Sequence, residues 1–339
     1  MKKSLLFLSM IMSFILILAG CNTKDGETVK TSADSNAGEK DYAEALDGEF
    51  LTILTGGSSG VYFPLGATLA KMYQDMGAKS NSQSTAASAV NAITLNLGKA
   101  EMGFLMGDTA ADAYEGIDSF EEQGAQENIR SIASLYTNYL QIVATKDSGI
   151  KTIEDLKGKK VAVGAPASGT EISAKRVLAA YDMTYDDIKE DYLSFAEGVE
   201  GMKNGNIDAV VISSGFPNAG ILELGTSKEI AIVEIDEEKI LEIQKKYPTF
   251  FPTTIPKDTY DGMEEDIQTV GVNNILMTHK DVSDEVVYAM TKALYENISQ
   301  LQNSHNAGKE IDIKTALENL PAPLHPGAKK FFDEEGITE

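Results

Sequence analysis

Residues 55–60 combine glycines with hydroxyl side chains and read Thr-Gly-Gly-Ser-Ser-Gly. Glycines let a ligand approach the backbone closely, and the hydroxyls can donate hydrogen bonds. The loop follows the apolar run 51–54, which is typical of a strand, and precedes Leu65 and Leu69 at helical spacing. A helix that begins at this loop would turn free N–H groups and the positive end of its dipole toward an anion.

The residues that are missing limit which anion this loop could bind. Residues 55–60 lack the Gly-Lys-Ser/Thr ending of a phosphate-binding P-loop, their glycines do not follow GxGxxG, and no lysine stands among them. We therefore expect the carboxylate of a small organic molecule. The alternative is an ordinary turn between strand and helix, in which the glycines serve backbone geometry alone.

A second strand, polar loop and helix follow further along the chain. Residues 159–164 are predicted as the strand, residues 165–171 as the loop, and the helix extends to about residue 181. Ser168 and Glu171 have the S-x-x-E spacing of a capping box, which marks a helix start. Further polar loops are predicted within residues 80–88, at residues 107–108 and at residues 213–217.

The candidate ligand-binding residues belong to these loops or are aromatic residues beside them, which can form a wall for a small ligand or pack in the core. They are Gly57, Ser58, Ser59, Tyr62, Ser84, Thr85, Gly107, Asp108, Tyr136, Ser168, Gly169, Thr170, Glu171, Gly215 and Phe216. Arg176, in the helix after the second loop, is predicted to occupy an ordinary helix face rather than to clamp a ligand.

Residues suited to catalysis are few. The histidines His279, His305 and His325 do not show HExxH or a similar ligand spacing, and no GxSxG nucleophile elbow occurs. The only cysteine, Cys21, lies at the end of an N-terminal apolar run, so no thiol nucleophile or internal disulfide is expected. We predict no metal, no cofactor and no enzymatic activity.

The N-terminal residues 1–20 are predicted to be a signal peptide. A basic start is followed by the nearly continuous apolar run 5–19, which is too short and wrongly flanked for a transmembrane helix. The run ends Leu-Ala-Gly-Cys, which resembles the lipobox of bacterial lipoproteins, so Cys21 is the predicted site of lipidation. Residues 21–47 have few large apolar side chains and are predicted to be a disordered tether that keeps the folded body near a membrane.

The overall charge is strongly acidic. The chain of 339 residues has 52 acidic and 29 basic residues, a formal net charge of -23. This balance disfavours nucleic acid and anionic membrane surfaces as partners. The length is enough for roughly two domains, and the hydrophobic content of 42% is ordinary for a globular protein.

Strands alternate with helices along the chain, which predicts an α/β class with parallel sheets. Residues 129–135 and 140–145 are predicted as two strands separated by a loop at residues 136–139, and residues 250–260 as an irregular connection. The stretches 98–106 and 205–212 follow one plan of a glycine, an acidic residue and an apolar strand. We interpret this echo as two α/β lobes of similar design.

Several short stretches, in the correct order, resemble the TAXI family of solute receptors of TRAP transporters. They are residues 55–66, 102–108, 163–171, 205–217 and 325–328. The resemblance implies a type II periplasmic-binding-protein fold, in which two lobes joined by two hinge crossings enclose a ligand cleft. Lobe 1 would contain residues 48–140 and 275–339, and lobe 2 residues 141–274.

The same resemblance implies a function. Members of the family deliver small carboxylates, such as glutamate or 2-oxoglutarate, to an integral membrane permease driven by an ion gradient. One departure is Thr137-Asn138, where the family pattern has Pro-Glu. If this position faces the cleft, the chemistry of the ligand differs.

We interpret the chain as an extracytoplasmic, lipid-anchored receptor, monomeric, for a small carboxylate or amino acid. Helix N-termini from two lobes could bind a carboxylate without much lysine or arginine. Two alternatives remain open, a secreted α/β hydrolase and a surface lipoprotein without a small-molecule ligand. The absent nucleophile elbow speaks against the first of them.

Overall fold

The computed structural model of this protein describes residues 42–338. The predicted signal peptide, Cys21 and most of the predicted tether lie outside this part of the chain. The strands are β1 Phe50–Leu54, β2 Lys79–Gln83, β3 Met102–Met106, β4 Ile129–Thr145, β5 Lys160–Ala162, β6 Lys189–Asp191, β7 Ala209–Ser214, β8 Ile230–Val233, β9 Phe250–Ile255 and β10 Ile267–His279.

The α-helices mostly follow the strands in alternation, as the sequence predicted. They are α1 Tyr62–Asp75, α2 Ser88–Asn96, α3 Gly107–Glu115, α4 Gly169–Ala180, α5 Phe195–Lys203, α6 Ala219–Gly225, α7 Glu237–Lys246, α8 Asp284–Glu296, α9 Ile298–Ser304 and α10 Pro326–Glu334. Between residues 42 and 338, no helix has the length and apolar character needed to cross a membrane.

One mixed sheet runs through the molecule in the order β2-β1-β3-β10-β4-β7-β5-β6, with β8 beside β4 and β9 beside β10. We call β2, β1 and β3 the first half of the sheet, and β7, β5 and β6 the second half. Neighbours are parallel among β1, β2 and β3, and again among β5, β6 and β7. The prediction of parallel sheets was therefore incomplete, because the central strands β4 and β10 run antiparallel to each other and to their neighbours.

Strand β4 corrects a second prediction. Residues 136–139 form no loop but continue one strand of 17 residues. They are held extended because Thr137, Asn138 and Tyr139 pair with Asn273, Val272 and Gly271 of β10. The long strands β4 and β10 thus connect the two halves of the sheet. The lobe boundaries at residues 140 and 274 stay a prediction.

A third prediction was wrong, because residues 250–255 form strand β9 rather than an irregular connection. This strand pairs only with β10, so Pro252 lies on an edge strand, where the missing N–H of proline is tolerated. Further along the chain, Asn297 separates the two consecutive helices α8 and α9.

Apolar side chains pack on both faces of the sheet. The alternation along β4 illustrates this arrangement, because Leu140, Ile142 and Ala144 belong to one buried cluster and Val143 to another. Period-two alternation places successive residues on opposite faces of a strand. The helices cover these faces, and the carboxyl ends of the parallel strands are left to the loops that begin the next helices.

Candidate functional site

A cavity lies where the loops of the two halves meet. Within residues 42–338, four helices that follow parallel strands begin at its wall: α1 after β1, α2 after β2, α4 after β5 and α5 after β6. Their first residues and the residues before them line it: Val61, Tyr62, Ala87, Ser88, Ser168, Gly169, Ser194 and Phe195. The carboxyl ends of parallel strands and the starts of helices are a common location for anionic ligands.

Hydroxyl groups hold the loops of the first half together. The hydroxyl of Thr85 donates to the carbonyl of Thr55 at 2.7 Å, and that of Ser84 donates to the carbonyl of Gly56 at 2.8 Å. The side-chain amide of Asn91 also donates to Thr55, at 2.8 Å. Thr85 lines the cavity and Ser84 does not. The hydroxyls of Ser84 and Thr85 therefore hold the loop in place, and only Thr85 also lines the cavity.

The two helix starts of the second half are capped in different ways. The hydroxyl of Ser168 accepts from the backbone N–H of Glu171 at 3.1 Å, which is half of the predicted capping box. The carboxylate of Glu171 instead accepts from the hydroxyl of Tyr185 at 3.0 Å. Ser194 and Glu197 form a complete capping box at the start of α5. Rigid caps fix the direction of both helix dipoles toward the cavity.

Neighbouring strands β4 and β7 contribute three polar side chains to the wall. The hydroxyl of Tyr136, the Oδ1 atom of Asn138 and the hydroxyl of Ser213 are buried and have no hydrogen-bond partner. The three residues are only 3%, 3% and 5% exposed. Buried polar groups without partners are uncommon and each costs about 1–3 kcal/mol, so these atoms point to a ligand that supplies the missing partners.

Tyr62 is the aromatic wall of the first half. Its ring stacks on Phe104 with centroids 5.1 Å apart, and its hydroxyl donates to Oδ1 of Asn274. Burial raises the pKa of Tyr62 far above its usual value, so the hydroxyl stays neutral and remains a donor. The side-chain amide of Asn274 in turn donates to the backbone carbonyl of Tyr136 at 3.0 Å.

The two halves of the molecule touch around the cavity. The side-chain amide of Asn218, which caps α6, donates to the carbonyl of Ser59 at 3.2 Å. A Cβ atom built on Gly169 would lie 2.6 Å from Sδ of Met106 and 2.8 Å from Oγ of Ser88. Such close approach across the cavity indicates that the halves are closed on each other.

A buried ion cluster joins α3 of the first half to α4 of the second. The guanidinium of Arg176 donates to Asp108 at 2.8 Å, forms a short contact with Asp112, and lies 3.8 Å from the ring centre of Tyr247. Burial raises the pKa of Asp112 to about 7, with Arg176 opposing the shift. Burial also raises the pKa of Asp108. Arg176 is therefore neither on an ordinary helix face nor at the cavity, and it fastens the two halves together.

The structure places some of the candidate residues at the cavity and others away from it. Those that line it are Gly57, Tyr62, Thr85, Tyr136, Ser168, Gly169 and Thr170. The remaining candidates, which do not line it, are Ser58, Ser59, Ser84, Gly107, Asp108, Glu171, Gly215 and Phe216. Most of these make structural contacts.

The reasons for these contacts are particular to each residue. Asp108 is committed to Arg176, and the ring of Phe216 packs against Tyr139 with centroids 4.5 Å apart. A Cβ atom on Gly215 would lie 2.6 Å from Ala307, and one on Gly107 would lie 3.1 Å from the carbonyl of Asn273. These glycines allow close packing rather than ligand contact.

Sequence reasoning missed several residues at the cavity. Asn138 was noted as a departure from a family pattern but was not named as a ligand contact. Ser88 and Ser213 lay in predicted polar loops without being chosen as ligand contacts, and Ser194 was not named. The spacing of Ser194 and Glu197 is the same S-x-x-E signal that identified Ser168. Asn138 stands two residues after Tyr136, so recognising one continuous strand would have placed both on one face.

Within residues 42–338, no group of three or more His, Cys, Asp and Glu side chains is arranged to hold a metal ion. His325, predicted to bind no metal, caps α10 by accepting from the N–H of Gly327 at 3.1 Å. His305 caps the turn that follows α9 in the same way.

Comparisons with known proteins found a family and several similar chains. The model of the NMT1-like family matches residues 53–336. A solved structure from Bordetella bronchiseptica RB50 has a TM-score of 0.53 at 17% identity, covering 85% of this chain and 98% of that one. The periplasmic aliphatic sulphonate binding protein SsuA from Escherichia coli has a TM-score of 0.45 at 15% identity, with 86% and 89% covered.

One curated relative matches over a short stretch. It is an Escherichia coli (strain K12) protein whose name gives it a provisional role in binding aliphatic sulfonates. The two are 33% identical over 84 residues, which is 25% of this chain and 26% of that relative. The chain thus matches about a quarter of the length of this relative.

Proposed function

The chain belongs to the NMT1-like family, and from this premise we propose that it is an extracytoplasmic solute receptor of the TAXI type. It captures a small carboxylate, of the glutamate or 2-oxoglutarate class, between its two halves and delivers it to a TRAP-type membrane permease. The observation that carries the proposal is the cavity where four helix starts meet three buried polar atoms without partners.

Physical chemistry supports an anionic ligand at this position. The N-terminus of a helix carries a partial positive charge of roughly half an elementary charge, and several converge here. The sequence matches to the TAXI pattern include residues 55–66 and 163–171, which supply two of these helix starts. The same chemistry would accept a sulfonate, and the relative named for sulfonates makes an alkanesulfonate the second candidate.

Ligand binding is tested by a thermal-shift screen of the full-length protein with small carboxylates, amino acids and alkanesulfonates. A ligand present at a hundred times its dissociation constant should raise the free energy of unfolding by about 2.7 kcal/mol. Sodium chloride at the same ionic strength is the control. Stabilisation by sulfonates alone would replace the carboxylate, and the absence of any shift would favour a surface lipoprotein without a ligand.

We further propose that the protein binds its ligand without turning it over. The cavity wall contains serine and threonine hydroxyls but, among the described residues that line it, no histidine, lysine or carboxylate to act as a base. A panel of ester and amide substrates should show no hydrolysis above the buffer rate. Turnover that is lost in a Ser88→Ala or Ser213→Ala variant would support the hydrolase alternative instead.

Anchoring through Cys21 is a separate proposal. The basic start, the apolar run 5–19 and the sole cysteine at its end support a lipid-modified N-terminus. The wild-type protein should partition into the detergent phase, whereas Cys21→Ser should remain unprocessed or be released. Thr31→Ser, in the predicted tether, should behave like the wild type. A mature wild-type chain without lipid in the aqueous phase would contradict the proposal.

A further inference from the structure

The wall of the cavity has no formal charge. Among the described residues that line it, none is Asp, Glu, Lys, Arg or His. Its polar groups are side-chain hydroxyls, the amide of Asn138, and the backbone, with the helix dipoles adding partial positive charge. A carboxylate in the cavity is therefore met by favourable dipoles, whereas a cationic group has no carboxylate on the wall to pair with.

Two carboxylates outside the cavity already have hydrogen-bond partners. Asp108 accepts hydrogen bonds from Arg176, and Glu310 accepts from the backbone N–H of Thr137 at 3.1 Å. Neither carboxylate lines the cavity. The ammonium group of an amino acid would thus be a buried cation without an ionic partner on the protein, which is unfavourable.

The three cavity atoms without hydrogen-bond partners could bond an uncharged oxygen on the ligand. The hydroxyls of Tyr136 and Ser213 can donate to a keto oxygen, and Oδ1 of Asn138 can accept from a hydroxyl. The same three oxygens could accept N–H groups from an ammonium. Neutral acceptors alone, however, do not replace the hydration that a full positive charge loses on burial.

We propose that this cavity selects small carboxylates whose second polar group is an uncharged oxygen, namely 2-oxo and 2-hydroxy acids, over α-amino acids. The inference rests on the proposed function, because it assumes that a carboxylate occupies the helix starts. Asn138 is then a specificity-determining residue. Its amide can bond a hydroxyl but does not offer the negative charge that an ammonium group requires.

The test is calorimetric titration of the full-length protein with ligands that differ only at carbon 2. The first series is 2-oxoglutarate, 2-hydroxyglutarate, glutamate and glutarate, and the second is pyruvate, lactate, alanine and propanoate. Within a series that binds, the oxo or hydroxy acid should bind at least about ten-fold more tightly than the amino acid. An amino acid that binds equally well or better overturns the inference and leaves the receptor function standing. No binding in either series overturns both.

Asn138→Asp should reverse the preference, because a carboxylate at this position can pair with an ammonium group. The amino acid should then bind at least about ten-fold more tightly than its hydroxy counterpart. Asn138→Leu, of similar size but without polar atoms, should weaken the hydroxy acid without improving the amino acid. An unchanged order of affinities in Asn138→Asp would overturn the role of Asn138.

Ser213→Ala keeps the inference testable if Asn138→Asp does not fold. Loss of this hydroxyl should weaken the oxo and hydroxy acids about five-fold or more. The counterpart without an oxygen at carbon 2 should bind as it does to the wild type, since it has no partner for Ser213. An equal loss for both kinds of ligand would show that the hydroxyl does not contact the second polar group.

Discussion

Gly169→Val is expected to weaken ligand binding about 100-fold or more, while the free protein remains folded. Gly169 is the first residue of α4, and the atoms opposite it belong to the first half of the molecule. A Cβ atom here would lie 2.6 Å from Sδ of Met106, 2.8 Å from Oγ of Ser88 and 3.0 Å from Oγ1 of Thr109. Overpacking of this kind costs typically about 1–3 kcal/mol, and valine adds two further carbons.

We expect Gly169→Val to impair the closing of the two halves on the ligand and to leave the folding of the free protein nearly unchanged. The backbone of Gly169 does not adopt the left-handed conformation, so a side chain causes no backbone strain there. Stability without ligand should therefore fall by about 1 kcal/mol or less. Affinity is measured by calorimetry, and compaction on ligand addition by small-angle scattering. The wild type should become more compact with ligand, and Gly169→Val should not.

Two alanine variants serve as comparisons for Gly169→Val. Gly169→Ala should weaken binding about ten-fold, because its single methyl group meets the same three atoms. Gly225→Ala, at the end of α6, adds the same methyl group where the nearest atom is 3.9 Å away, so it should leave affinity unchanged. Normal affinity in Gly169→Val would mean that ligand binding does not require the observed approach of the two halves.

Arg176→Met is expected to lower the free energy of unfolding by about 3–5 kcal/mol at pH 8. Removing one partner of a buried ion pair leaves the other charge without compensation, and here two buried carboxylates share the guanidinium. The side chains of Arg176, Asp108 and Asp112 are 5%, 0% and 4% exposed. Methionine keeps most of the volume but supplies neither the positive charge nor the hydrogen bonds.

The size of this loss should depend on pH in a defined direction. Burial raises the pKa of Asp112 from 3.8 to about 7, so between these values the folded protein holds a proton that the unfolded chain has released. The contribution of this group to stability is therefore greatest below pH 3.8 and declines as the pH rises to about 7. Without Arg176 the pKa should rise further, so the variant should be less impaired at pH 5 than at pH 8.

Urea unfolding of the wild type and of Arg176→Met at both pH values measures these differences. Lys203→Met is the matched control, because it breaks a short ion pair with Glu223, whose side chain is 66% exposed. Exposed pairs contribute about 0–1 kcal/mol, so this variant should change little at either pH. A loss in Arg176→Met no greater than in the control would show that the buried cluster does not stabilise the folded protein.

Local sequence determined the elements that surround the cavity. The strand of residues 51–54, the glycine loop after it and the helix containing Leu65 and Leu69 were all predicted, as was the helix start at Ser168. These features depend on residues a few positions apart, through period-two or helical spacing and through capping. The information needed to predict these elements is therefore contained in residues that are close along the chain.

The tertiary structure decided which of these residues share a cavity. Tyr136 and Asn138 are adjacent on the cavity wall because residues 136–139 are extended by pairing with β10, whose residues follow them by more than a hundred positions. Nothing within residues 136–139 indicates this pairing. Thr137 and Asn138 read locally as a polar loop.

Local sequence likewise indicated the helix that contains Arg176 but not the partners of its side chain. Its position in a helix was evident from the sequence, but its partners Asp108 and Asp112 lie on α3, which follows a different strand in the other half of the sheet. Glu171, predicted as half of a capping box, similarly bonds Tyr185 instead. Backbone conformation is set largely by near neighbours, whereas burial and ion pairing depend on segments brought together only by folding. The sequence therefore predicted the loops, and the fold decided which of their residues line the cavity.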